Sequence, residues 1–352
     1  KGACKLKKIL IALAVVAAVA AAAIFFASSN EVKREFFAMD TFVSAKVKGF
    51  AAKDVAGGIS TLVRELDSKQ LSRYTSGSEI SRINSEAETV LSDEMRDYIT
   101  ELLEVGKMSG GKFDIALGAV SDLWSFNDSP RVPSTDELTE ALSRSGSDKL
   151  SLSGNTLTRA DGCIIDLGSA GKGIALDKVK SYLSDKKISS AVVSVGGSVL
   201  LYGKGSFNVG VRDPWGEAGR SVMTVKLGAG CVSTSGSYER CFEQGGKRYH
   251  HILDPDTGLP VENGLVSVTV ISDSGLLSDA LSTACFVLGA EGGAKLAAKY
   301  GCEAIFITED KKSYLHRRDK AECHRPRRRL YGRGVKHGSE TLAKSGYFYN
   351  CG

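Results

Sequence analysis

Apolar residues recur at helical spacing along the first half of the chain. Val55, Ile59, Leu62, Val63 and Leu66 form one stripe over 52–67. Met95, Ile99, Leu102 and Leu103 form another over 93–108, ended by Gly110-Gly111. Ser134 and Glu137 make a capping-box pair ahead of Leu138 and Leu142. The pattern then changes. β-like runs cover 149–153 and 156–159 around Gly154-Asn155, then 163–167, 190–195, 198–203, 206–211, 221–227, 266–272 and 303–308. Helical patterns cover about 172–184, 276–288 and 291–300. Strands that are mostly consecutive, with helices grouped between them, predict an α+β fold with antiparallel-rich sheets rather than a doubly wound parallel sheet.

The extreme N-terminus reads differently. Ile9 to Ala27 is an unbroken uncharged run behind Lys5, Lys7 and Lys8. As a helix it spans about 28 Å, roughly a bilayer's hydrocarbon core. It predicts one transmembrane anchor or a cleaved signal segment in 1–30, with the lysines on the cytoplasmic side. Either way the remainder is expected at the membrane's extracytoplasmic, periplasmic or extracellular, face. A domain over 31–310 and a basic tail over 311–352 complete the expected organisation.

Composition adds two constraints. At 42% hydrophobic and 25% charged, the chain is neither generally disordered nor a small disulfide scaffold. The net charge of +5 comes from the ends. Residues 1–30 hold four lysines and no acid, and 311–336 hold eleven Lys or Arg against two acids, so the body is acidic. Outside the membrane such a tail suits solvent or anionic headgroups better than nucleic acid. The eight cysteines show no CxxC spacing and read as free thiols, with Cys231 and Cys241 the one pair to test.

Glycines and carboxylates gather in five stretches: 111–114, 166–177, 234–238, 251–258 and 279–283. The run Asp166-Leu-Gly-Ser-Ala-Gly-Lys-Gly173 passes from an apolar run into a helix, where free backbone N–H groups meet anions or carbonyls meet metals. It has neither P-loop nor dinucleotide spacing. Asp279 and Thr283 lie four apart, so both oxygens share a helix face, a hard donor set suited to Mg²⁺. The plainer alternative is an exposed Asp and a Thr bonded into its own helix. Of five histidines only His250 and His251 lie in the body, beside Asp254 and Asp256, which makes His251 the candidate base. The plainer alternative there is a surface Asp-Pro turn.

Taken in order, Met39-Asp-Thr41, Leu71-Ser-Arg-Tyr74, 78–84, Phe113-Asp114, Leu123-Trp124, Asp166 to Asp177, Val195-Gly-Gly197, Asp213-Pro214, Thr234-Ser-Gly236, His251 to Gly258 and Asp279 to Thr283 resemble the FAD:protein FMN transferase (ApbE-like) family over about 36–310. The resemblance implies a Mg²⁺-dependent transferase that takes FAD as substrate, attaches FMN to a Thr or Ser hydroxyl through a phosphoester, and releases AMP. Catalytic roles fall to His251, to Asp254 as its orienter or substitute, and to Lys172. FAD-contacting positions are Met39, Tyr74, Lys112, Phe113, Asp114, Gly168, Lys172, His251 and Leu253. Metal ligands are Asp279, Thr283 and the carbonyl of Gly171, where the family usually has Ala. The implied partner is an acceptor flavoprotein, such as a membrane redox-pump subunit. The alternatives are an FAD pyrophosphatase releasing FMN and AMP, or a non-enzymatic flavin-binding protein. After about Tyr314 the sequence departs from the family's short ending.

Overall fold

Residues 30–317, except Ala218, together with Leu13, Ala14 and Val16, are described by the computed structural model. The anchor or signal expectation for 1–30 falls on a segment of which only Leu13, Ala14, Val16 and Asn30 are described, and the tail beyond Arg317, Cys4, Cys323 and Cys351 lie outside the described residues. Among the described residues no helix is long and apolar enough to cross a membrane.

The backbone is an eight-stranded antiparallel meander. Its strands are β1 (Glu31–Ala38), β2 (Thr41–Lys48), β3 (Ser190–Val195), β4 (Ser198–Gly203), β5 (Gly230–Gly236), β6 (Leu265–Ser272), β7 (Glu303–Thr308) and β8 (Ser313–His316). They lie side by side in chain order. The helices fill the gaps between strands. α1 (Ala52–Leu66), α2 (Glu79–Ser85), α3 (Asp93–Met108), α4 (Gly118–Trp124), α5 (Thr135–Ser143) and α6 (Gly171–Leu183) all fall between β2 and β3, and α7 (Gly275–Lys299) joins β6 to β7. This is the expected α+β class with antiparallel pairing.

Alternation decides which face each strand buries. In β2, Val43, Ala45 and Val47 point inward and meet Val55, Ile59 and Val63 of α1. Fully burying each such side chain contributes roughly 1.5–3 kcal/mol. β6 is buried at all eight positions. Val268 and Val270 pack under α7, while Ile271 meets the hairpin Phe207–Arg212/Ser221–Leu227 on the opposite face.

Two expectations change. The run 163–167 is not a strand. Its backbone is held by loop partners: the Asn84 side chain bonds both N–H and carbonyl of Ile165 (2.8 Å each), and Asp166 N–H donates to the Ile115 carbonyl. The two C-terminal helical patterns stand as expected: α7 is two helical segments that meet at Gly289, whose φ of 75° is not helical. The last strand, β8, lies beyond residue 310, so the sheet reaches into what reads as tail. Cys231 is buried in β5 and forms no disulfide with Cys241, whose sulfur instead receives Arg248 Nη2 at 2.9 Å; none of the five described cysteines is in a disulfide.

Candidate functional site

Two helix starts meet at the centre of the site. A Cβ at Gly173 of α6 would stand 2.1 Å from the carbonyl oxygen of Gly275 in α7, and one at Gly275 would stand 2.3 Å from the Gly173 carbonyl. Only glycines allow this approach. The two helices then exchange caps. Asp279 of α7 accepts the free Gly173 N–H of α6 (2.9 Å), while Asp177 of α6 accepts Gly275 N–H (2.7 Å), Leu276 N–H (2.9 Å) and the Ser274 hydroxyl (3.0 Å) at the start of α7. Each carboxylate sits at the positive end of a helix, satisfying N–H groups that have no partner inside it.

Asp279 is therefore buried, only 3% exposed, and not the solvent-facing residue that was the plainer alternative. Ser198 donates to its Oδ1 (3.1 Å), and Lys172 Nζ stands 3.6 Å from the same oxygen while donating to the Gly168 carbonyl (3.2 Å). One turn on, the Thr283 hydroxyl lies 3.1 Å from Ser235 Oγ, itself 2.8 Å from Ser282 Oγ. The donor set is entirely oxygen. No group of three or more His, Cys, Asp or Glu placed to hold a metal ion occurs among the described residues. One carboxylate with hydroxyl and carbonyl oxygens fits Mg²⁺, which keeps waters and takes substrate phosphates, and it does not fit a nitrogen- and sulfur-loving ion. Gly171, whose carbonyl is the third expected donor, sits one residue before Lys172 at the start of α6.

His250 and His251 part ways. His250 is buried, with Nδ1 accepting Ile252 N–H (3.3 Å) and Nε2 donating to the Val261 carbonyl (3.0 Å). Its role is structural. His251 Nδ1 lies 3.1 Å from the Glu239 carbonyl. A carbonyl only accepts, so Nδ1 carries the hydrogen and Nε2 keeps the lone pair. Burial first, then the charges of Arg240 and Lys172, push the His251 pKa down to about 3. The partner of Nδ1 is the Glu239 carbonyl and not Asp254. Lys112 Nζ takes Asp254 (2.9 and 3.1 Å) and Asp256 (2.7 Å), and these carboxylates outweigh partial burial and raise the lysine's pKa. The loop bearing them is fixed by Trp124 Nε1–H donating to the Gly258 carbonyl (2.8 Å) and by the Leu253–Pro260 bridge.

The other expected contacts divide. Met39 and Asp40 close the β1–β2 hairpin with φ of 54° and 53°, a turn that usually takes Asn or Gly. Met39 N–H is tied to Asp67 (2.9 Å), and its methyl lies 3.5 Å from where a Gly171 Cβ would be. Phe113 is buried in the core, and the Asp114 carboxylate is filled by Ala116 N–H, Ser147 N–H and the Ser147 hydroxyl. Tyr74 is exposed beside Arg73. Reading the sequence for motifs passed over Arg73, Asp177 as a cap, Ser198, Ser235 and Glu239. Small residues at 233–236 and the Gly-Gly before Ser198 were the available signals.

Comparison with known proteins gives one family. The ApbE family model matches residues 39–306. A curated FAD:protein FMN transferase of Treponema pallidum is 35% identical over 267 residues, covering 69% of this chain and 74% of the relative. One from Escherichia coli K12 is 30% identical over 293 residues, covering 78% and 84%. The crystal structure of the ApbE protein of Thermotoga maritima superposes with a TM-score of 0.74 at 30% identity, covering 81% of this chain and 96% of that one. The flavin transferase ApbE of Vibrio cholerae gives 0.71 at 28% identity, covering 82% and 97%.

Proposed function

The chain belongs to the ApbE family, and we propose that it is an FAD:protein FMN transferase acting on a Thr or Ser hydroxyl of an acceptor protein. The observation that carries this reading is His251. Its Nδ1–H is spent on the Glu239 carbonyl, so Nε2 is a fixed, neutral acceptor beside the positive charge of Lys172. A hydroxyl is a weak nucleophile and needs such a base.

In the proposed reaction the acceptor oxygen attacks the FMN-side phosphorus of FAD, and its proton passes to His251 Nε2. The bond from that phosphorus to the bridging oxygen breaks, and AMP leaves with the electron pair. Lys172 offers charge to the pyrophosphate oxygens. A Mg²⁺ held by Asp279, Thr283 and the Gly171 carbonyl would supply further positive charge there. Met39 and Tyr74 offer thioether and aromatic surface to the flat rings. An exported, membrane-anchored placement, supported by the 9–27 apolar run, and a redox-pump subunit or extracellular flavoprotein as acceptor, carried by the family resemblance alone, complete the proposal.

Incubation with FAD, Mg²⁺ and a candidate acceptor, read by intact-protein mass spectrometry and AMP release, tests it. An FMN adduct on a Thr or Ser is the expected result. Stoichiometric free FMN and AMP with no adduct overturns the transferase reading in favour of the pyrophosphatase.

A further inference from the structure

The Arg73 side chain is only 8% exposed, whereas its neighbour Tyr74 is 68% exposed. That contrast places a buried charge directly behind a displayed ring. The guanidinium has four engagements. Its fork grips Asp122 of α4, with Nη1 3.1 Å from Oδ2 and Nη2 2.6 Å from Oδ1. Nε faces Asp166 Oδ2 at 3.3 Å, an ion pair rather than an aligned hydrogen bond. Nη2 also donates to the Tyr74 hydroxyl (2.7 Å), and the guanidinium carbon lies 4.5 Å from the Tyr74 ring centroid. Asp166 in turn accepts Gly168 N–H at 2.8 Å, and the Gly168 carbonyl receives Lys172. One side chain therefore joins three pieces: the 72–77 loop, α4, and the glycine-rich turn that opens α6.

Holding a charge out of water is costly unless its partners are well placed. Here they outweigh the cost. Against desolvation, the Asp122 bonds and the Asp166 charge raise the guanidinium's pKa further, so it stays charged at any working pH. A tyrosine on a solvent-facing loop would otherwise exchange rotamers freely and lose that freedom on stacking a ligand. Held by hydroxyl and by ring face, Tyr74 has already lost it.

We propose that Arg73 is a positioning residue of the FAD site, which holds the Tyr74 ring as a flat platform for an aromatic ring of FAD and couples that platform through Asp166 to the Gly168–Lys172 turn. This rests on the flavin-transfer reading above. Arg73 acts through Tyr74 and touches no reacting atom, so its loss weakens FAD capture more than turnover of captured FAD. Lysine keeps the charge but lacks the planar fork.

The test uses the full chain with FAD alone, then with Mg²⁺ and acceptor. In Arg73→Lys the Kd for FAD rises about tenfold, the worth of one newly mobile side chain, while kcat at saturating FAD changes by less than about threefold. The quenching of flavin fluorescence on binding falls. Tyr74→Ala weakens binding to a similar extent, and the double variant Arg73→Lys/Tyr74→Ala binds no more weakly than Tyr74→Ala alone. Circular dichroism checks folding. Should Arg73→Lys not fold, Asp122→Asn loosens the same fork from a half-exposed position and shifts Kd and quenching in the same direction. Unchanged Kd and quenching in the folded variants, or additive effects in the double variant, overturns the proposal. Quenched FAD binding lost in Arg73→Lys but with no adduct from the wild type would instead sink the transferase reading and leave the platform standing.

Discussion

Gly173→Ala adds one methyl group where α6 and α7 cross, and the surroundings determine what it does. The new Cβ would stand 2.1 Å from the Gly275 carbonyl oxygen, 2.6 Å from its carbon and 2.7 Å from Asp279 Cβ. Two of these atoms are backbone, so no side chain can swing aside; the helices must separate. Overpacking of this kind typically costs about 1–3 kcal/mol. Separation also strains the Gly173 N–H to Asp279 bond, worth about 1.5–3 kcal/mol with a charged acceptor. Against this, Ala gains about 0.5–1 kcal/mol over Gly inside a helix. The net expectation is a loss of about 2–4 kcal/mol. Urea unfolding followed by far-UV circular dichroism reads it as a lower midpoint with an unchanged m-value. The same displacement moves Asp279 away from Ser198 and Lys172, so AMP release from FAD should fall by about 100-fold or more, the scale set by losing a placed charge stabiliser. A Gly173→Ala protein as stable as wild type would show that the close approach is not real. A destabilised but fully active one would separate the helix crossing from the site.

Four further expectations concern His251, Asp177 and Asp279. Because burial holds the His251 pKa near 3, Nε2 stays a base well below neutrality, and the acid limb of kcat/KM for FAD should fall below pH 5; a limb at about 6.5 that vanishes in His251→Asn would contradict this. The same depression makes folding bind fewer protons than the unfolded chain between the ordinary histidine value and about 3, so His251 contributes stability that is lost as pH falls through that window, and His251→Asn should flatten the decline in urea midpoint. Asp177→Ala removes the acceptor of two N–H groups and one hydroxyl at the start of α7 and should cost about 1–2 kcal/mol in thermal or urea unfolding, whereas a cost near zero would mean water caps that helix equally well. Asp279→Asn keeps an acceptor for Gly173 and should fold yet show Mg²⁺ affinity, by calorimetry, reduced far more than Thr283→Val, whose hydroxyl water can replace; equal effects would place the metal elsewhere.

Local pattern carried most of the helices. α1 and α3 have one-sided apolar stripes, and the Ser134–Glu137 capping box forms as spaced, with the Ser134 hydroxyl and Glu137 carboxylate bonding each other's backbone. Strands were legible where β-branched residues dominate, as in β6 with Val266, Val268, Thr269, Val270 and Ile271, and less so where apolar positions alternate with charged outward ones. β2 reads Thr-Phe-Val-Ser-Ala-Lys-Val-Lys, and only Val43, Ala45 and Val47 of it are buried. The error at 163–167 has a definite cause. An apolar β-branched run marks a buried segment, but ladder pairing depends on a partner strand, and here the partners are the Asn84 side chain, 81 residues away, the Ile115 carbonyl and the Gly118 N–H.

The candidate site was legible as residue types and illegible as relations, and the reciprocal caps show why. Asp279 suits a hard cation by its chemistry alone, and its i, i+4 spacing to Thr283 follows from helix geometry. That Asp279 also caps α6 while Asp177 caps α7 depends on Gly173 meeting Gly275, a contact between segments about a hundred residues apart. This arrangement places a demand on the carboxylate that a surface ligand would not face. Asp279 is held at fixed orientation by Gly173 N–H and Ser198 before any cation arrives, so less ordering remains to be done on binding. The same holding makes the residue part of the fold. Asp279→Ala therefore combines an unsatisfied buried N–H with loss of the proposed ligand, and its activity cannot be interpreted without its stability; Asp279→Asn separates the two because it removes the charge and leaves the cap.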